Sequence, residues 1–178
     1  MDEKKLQKRY AQSLFDLSKQ QDILNTIFND VTYIYNICKE NRELEIVLKN
    51  PIIKPLKKKE ILLALFEKDC NVLTIKFLVL IATKRREIYL KGICEEFFEI
   101  YNVYNNIKIA KLIVANDISK DLANAISQKL EQEYNCKIQL EIKQNKNLIG
   151  GFVVEIEGKQ YDASFIRKLN DLKKKITS

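Results

Sequence analysis

The chain has 178 residues, 46% hydrophobic and 31% charged, with a formal net charge of +7. That balance fits a soluble, helix-rich globular protein of one medium domain or two small ones. Histidine is absent, which removes Ser-His and Cys-His nucleophile pairs and argues against a zinc site.

The N-terminal MDEKKLQKRY is charged from its second residue, so no secretory signal is expected. The longest apolar run, Phe77 to Ala82, is too short to span a bilayer. The first helix is expected to carry Leu6, Tyr10, Leu14 and Leu17 at helical spacing, with Ala11 and Phe15 widening the apolar arc. In the second, Leu24, Ile27, Phe28, Val31, Ile34, Tyr35 and Cys38 share one face. A short third helix, around Arg42 to Leu48, stops at Asn50-Pro51, and Pro55 suits the first turn of a fourth. Ile61, Leu62, Leu65 and Phe66 are its expected inner face. The fifth helix, Val72 to Thr83, is apolar nearly all round, with Lys76 its one charge. Such a helix is either central to the bundle or covered on one side by another protein. A sixth runs from near Arg86 to about Tyr104, with Leu90, Ile93, Cys94, Phe97 and Tyr101 inward.

After Asn105-Asn106 the pattern changes. IKIAKLIVA reads as a strand, Ser119 caps a helix reaching about Tyr134, and KIQLEIK alternates. GFVVEIEGKQYDA reads as a hairpin turning near Glu157-Gly158. A last helix is expected to carry Phe165, Leu169, Leu172 and Ile176 on one stripe. The expected fold is therefore an all-α N-terminal six-helix bundle, residues 1–105, followed by a small α+β C-terminal domain, residues 106–178.

Four features invite a chemical reading. Gly150-Gly151 precede a strand and not a helix, and no Gly-Lys-Ser follows, so the pair is read as structural and not as a phosphate loop. Asp162 and Ser164 stand where a strand hands over to a helix, with no base or oxyanion hole in sight, and read as N-caps. Lys57-Lys58-Lys59 read as a solvated helix face. The four cysteines, Cys38, Cys70, Cys94 and Cys136, form no Cys-x-x-Cys pair and read as reduced, mostly buried thiols. No catalytic, cofactor-binding or metal-binding residues are assigned. The basic excess is spread along the chain, 18 basic against 15 acidic residues in 1–105 and 13 against 9 in 106–178, and only five of 31 basic residues are Arg. That argues against nucleic acid as partner. A basic helical RNA-binding transcription adaptor stands as the alternative function.

Taken in order, these segments resemble one family. KRYAQSLFDLSKQ resembles the Tyr-Ala-x-x-Leu-Phe-x-Leu-Ala opening of the ATP synthase delta subunit family, which includes the mitochondrial oligomycin-sensitivity-conferring protein. NPIIKPLKKKEIL is similar to its loop and fourth helix, and FLVLIATKRREIYL to its fifth helix and Gly-Arg-Leu segment. NLIGGFVVEIEGKQYDASFIRKLNDLKKKI resembles its C-terminal signature. Arg85 stands where the family commonly has glycine, Ala163 replaces the glycine between Asp162 and Ser164, and Lys146-Asn147 replace Asp-Pro. The resemblance implies a non-catalytic stator subunit of the F-type ATP synthase, peripheral at the cytoplasmic face of the bacterial membrane and touching the membrane only through the complex. It implies two partners, the N-terminal segments of the alpha subunits and the C-terminal region of the b subunit. It points to the first and fifth helices as the alpha-binding surface. Tyr10 is expected as an aromatic anchor, Leu14 and Leu80 as apolar walls, and Lys76 as a rim charge.

Overall fold

The structure, a computed structural model, describes residues 3–116, 118–145, 148 and 150–162. The expected last helix and the cap at Ser164 lie outside the described residues. The chain is mostly helical with a C-terminal α+β region, and it divides into two compact units, Met1–Tyr101 and Asn102–Ser178.

In the first unit the helices are α1 (Glu3–Gln20), α2 (Leu24–Glu40), α3 (Arg42–Lys49), α4 (Pro55–Phe66) and α5 (Val72–Thr83). A single 3-10 turn, Glu87–Tyr89, leads into α6 (Leu90–Tyr104), within which the two units divide. The expected sixth-helix start near Arg86 is thus shifted to Leu90. Each amphipathic stripe meets the others in one core, whose most deeply buried members include Leu14, Ile27, Ile34, Leu62, Phe66, Leu78, Ile81, Leu90, Ile93 and Phe97. Leu65, expected inside, is 40% exposed; α4 turns its Leu62–Phe66 row inward and leaves Leu65 on the flank.

Two polar clamps cross this core. Asp30 of α2 accepts hydrogen bonds from the backbone N–H of Asn71 (2.8 Å) and the hydroxyl of Thr74 (2.6 Å). The Asn71 side chain accepts from Leu73 N–H (2.9 Å), so the otherwise unpaired amides that open α5 find acceptors. Lys58 donates to the Leu48 carbonyl (2.6 Å) and to Glu87 (2.8 Å), with both charged side chains almost fully buried. The expectation that Lys57-Lys58-Lys59 forms one solvated face fails at Lys58. Its Nζ is drawn inward because the last-turn carbonyl of α3 and the Glu87 carboxylate are both buried acceptors.

Helix ends show how a glycine-poor chain turns. Among the described non-glycine residues, positive φ occurs at Asp22, Arg85, Asn106, Asn135 and Glu157. After α1, Ile23 N–H bonds to Ser18 O and Asp22 N–H to Lys19 O. After α5, Arg86 N–H bonds to Ile81 O and Arg85 N–H to Ala82 O. Both are Schellman closures with a left-handed residue at the turning position. Arg85 carries φ 55, a left-handed conformation that glycine adopts without strain.

The second unit holds β1 (Ile107–Val114), α7 (Lys120–Tyr134), β2 (Lys137–Gln144), β3 (Phe152–Ile156) and β4 (Lys159–Asp162), in the sheet order β2-β1-β3-β4. β1 and β2 run parallel, joined through α7, while β1–β3 and β3–β4 are antiparallel. Ser119 accepts from Leu122 N–H (3.3 Å) and so caps α7. Ala110, Leu112, Val114, Ile138, Val154 and Ile156 of the sheet pack with Leu130 of α7. Leu122 is 44% exposed in the first turn of α7. The β3–β4 turn places Glu157 at φ 50 and Gly158 at φ 75, a two-residue turn with both central residues left-handed, as strand twist favours.

Candidate partner interface

α5 is not the central helix of its unit. Its inward row is Thr74, Leu78, Ile81 and Ala82. On the opposite side Val72 is 67% and Leu80 46% exposed, with Lys76 between them and Ile75 and Val79 half-buried. The outer face of α5 thus carries two exposed apolar residues and one charge.

α1 lies alongside. The rings of Tyr10 and Phe77 meet edge to face with centroids 6.4 Å apart. Leu6, Tyr10, Ser13 and Leu17 recur at steps of three and four along the same flank of α1, and Leu17 is 45% exposed. The two helices therefore form a seam with a half-buried aromatic pair at its floor and exposed leucines, Leu17 and Leu80, on its two sides. Both ends of α5 are pinned, by the Asp30–Thr74 clamp and by the Schellman closure at Arg85. The start of α5 is thus held against α2 and its end is closed locally, which limits its freedom to shift.

The expected site residues separate. Tyr10 is half-buried against Phe77, Lys76 is exposed, and Leu80 stands on the outer face of α5. Leu14 corrects the expectation: it is 2% exposed and packs among Val31, Ile34, Thr74 and Leu78. It sits one step around the helix from Tyr10, on the core side. Leu17 occupies the outer position that Leu14 was expected to fill. The available signal was angular: Leu17 stands further from the buried Ala11 direction than Leu14 does. Phe77, Arg9 and Arg86 were not singled out, although Arg9 and Arg86 line a cavity at one end of the seam.

The glycine stretch is no phosphate cradle. Gly150 and Gly151 sit in a bend ahead of β3, Gly151 with φ 83, and a strand, not a helix N-terminus, follows. Asp162 ends β4, opposite Val153. Among the described residues no group of three or more acidic or cysteine side chains is placed to hold a metal ion. All four cysteines are free; burial pushes the thiol of Cys38 up to about 11 and that of Cys70 up to about 12, which makes them poor nucleophiles. No helix among the described residues is long and apolar enough to cross a membrane.

Comparison with known proteins agrees with this picture. Residues 6–176 match the model of the family described as ATP synthase delta (OSCP) subunit. The ATP synthase subunit delta of Carboxydothermus hydrogenoformans is 34% identical over 169 residues, covering 95% of each chain. That of Cytophaga hutchinsonii is 34% identical over 177 residues, covering 99% of this chain and 97% of the relative. A chain in the cryo-EM structure of the Toxoplasma gondii mitochondrial ATP synthase hexamer shares the fold, with a TM-score of 0.73 at 18% identity, over 97% of this chain and 98% of that one. A nearly full-length match to the family model, with relatives above 30% identity, shows that the chain belongs to the ATP synthase delta (OSCP) subunit family, whose members are structural and not catalytic subunits.

Proposed function

We propose that this chain, a non-catalytic stator subunit of the F-type ATP synthase, joins the catalytic head to the peripheral stalk with one unit for each. The six-helix head-binding unit, residues 1–105, receives N-terminal segments of the alpha subunits. The α+β unit, residues 106–178, meets the C-terminal region of the b subunit. The protein works at the cytoplasmic face of the bacterial membrane, held there by the complex alone. By resisting the torque that the rotating central stalk exerts on the head, it lets rotation drive ATP synthesis.

The observation that carries this reading is the uncovered outer face of α5 beside α1. Val72 and Leu80 are exposed on a helix with a single charge, next to the Tyr10–Phe77 pair and the exposed Leu17. An amphipathic helix laid in this seam buries those side chains with anchors at helical spacing. Tyr10, Leu17 and Leu80 serve as apolar contacts and Lys76 as the rim charge that steers an acidic segment.

Titrating the full chain with a synthetic peptide of the alpha-subunit N-terminal segment tests it. Leu80→Ala should weaken binding by about 1–3 kcal/mol and leave the melting temperature nearly unchanged. A large fall in melting temperature at unaltered affinity would remove Leu80 from the interface. No peptide binding by the wild-type chain would remove the seam altogether.

A further inference from the structure

One end of the α1–α5 seam holds two charges that the apolar contacts do not explain. Arg9 and Arg86 line a single cavity of about 160 Å³ with Leu6, Tyr10 and Ser13. The chain uses arginine sparingly, five residues against 26 lysines by subtraction from its 31 basic residues, yet two of the five meet here from elements distant in sequence. Among the described residues the ion pairs are those of Lys4, Lys49, Lys57, Lys58 and Lys108, and neither arginine takes part in one. Two arginines lining one recess concentrate positive charge there, which favours an anion. Arg86 is not free to drift away, because its backbone N–H is held by Ile81 O in the turn that closes α5.

We propose that Arg9 and Arg86 form a carboxylate recess that accepts one acidic side chain of the helical segment docked on the seam. The proposal rests on the docking reading above and adds the chemistry at one end of it. The planar guanidinium fork matches a carboxylate through paired N–H donors, which a lysine cannot reproduce. The recess is continuous with the seam through Tyr10, so a helix lying over Leu17 and Leu80 carries its acidic residue beyond its apolar anchors, at the Arg86 end. A small phosphate is the poorer fit. The cavity is walled by Leu6 and Tyr10 and lies against the middle of α1, where backbone amides are committed within the helix and none is free to hold an oxyanion. A charged anchor at the Arg86 end and Leu17 towards the other also allow the helix to bind in only one direction.

The test is a double-mutant cycle with the full chain and a peptide of the alpha-subunit N-terminal segment. One peptide keeps its Glu and Asp residues; the others replace them singly with Gln or Asn. Arg9→Gln and Arg86→Gln should each weaken binding of the acidic peptide about tenfold or more. One neutral peptide should already bind weakly and should be indifferent to both substitutions. Arg86→Lys should recover only part of the affinity, and all variants should melt like the wild type. Equal losses for the acidic and every neutral peptide would overturn the recess while leaving the docking seam intact, provided Leu80→Ala still weakens both. Binding of inorganic phosphate that depends on the two arginines, with peptide affinity indifferent to them, overturns it in favour of a small-anion site. Failure of the wild-type chain to bind any peptide defeats the seam and this recess together.

Discussion

The two units solve the same packing problem with different means. The helical unit carries buried polar and charged groups through its core, Asp30, Thr74, Lys58 and Glu87 among them. Among the described residues of the α+β unit the buried side chains are apolar, Leu112, Val154, Ile156 and Leu130 among them. Strands carry their own alignment, since each ladder of backbone hydrogen bonds sets the register, as Ile107↔Lys137 through Val114↔Gln144 do for β1 and β2. Helices packed by apolar side chains have no such ladder, and a row of leucines tolerates sliding. A side chain on one helix that bonds the terminus of another removes that freedom. Asp30 does so at the start of α5, and Lys58 at the end of α3. In this protein the aligned helices include α5, which carries the proposed docking seam.

That contrast can be broken most sharply at Lys58. Lys58→Met leaves the Glu87 carboxylate buried without its cation, and should destabilise the helical unit by about 3–5 kcal/mol in urea unfolding. Adding Glu87→Leu should recover most of the loss. If the single variant costs under about 1 kcal/mol, the pair is not a core clamp. Asp30→Ala comes next. It unpairs Asn71 N–H and the Thr74 hydroxyl, and should lower stability by about 1–3 kcal/mol while also weakening peptide binding on the seam. Unaltered affinity would show that α5 holds its place without the clamp.

On the other side of the comparison, Gly151→Val forces a β-branched residue into φ 83 and should destabilise the α+β unit by at least about 1–2 kcal/mol. Protease susceptibility confined to residues 102–178 would register it, and nucleotide binding lost with the substitution would contradict a structural role. The smallest effect is a gain. Arg85→Gly relieves a left-handed non-glycine residue, offset by greater freedom in the unfolded chain, and should stabilise by up to about 1 kcal/mol. A loss of stability would mean that the Arg85 side chain makes contacts worth more than the strain.

What the sequence by itself determined was the identity of the elements. Helical periods, the proline at the start of α4, Ser119 before α7 and the Glu157-Gly158 turn are local features, because each depends on residues within a turn or two. The family resemblance was legible for the same reason, in short segments taken in order. What only the tertiary structure decided was which apolar residue of a wide arc faces inward. Leu14 and Leu17 are the same residue type three positions apart, and the choice between core and surface falls to the helix that packs beside them. Lys58 shows the same limit for charge, since three consecutive lysines look alike until a distant glutamate and a helix-end carbonyl select the middle one. Arg9 and Arg86 line one cavity although they are far apart in the chain, and such a meeting leaves no periodic signal in sequence.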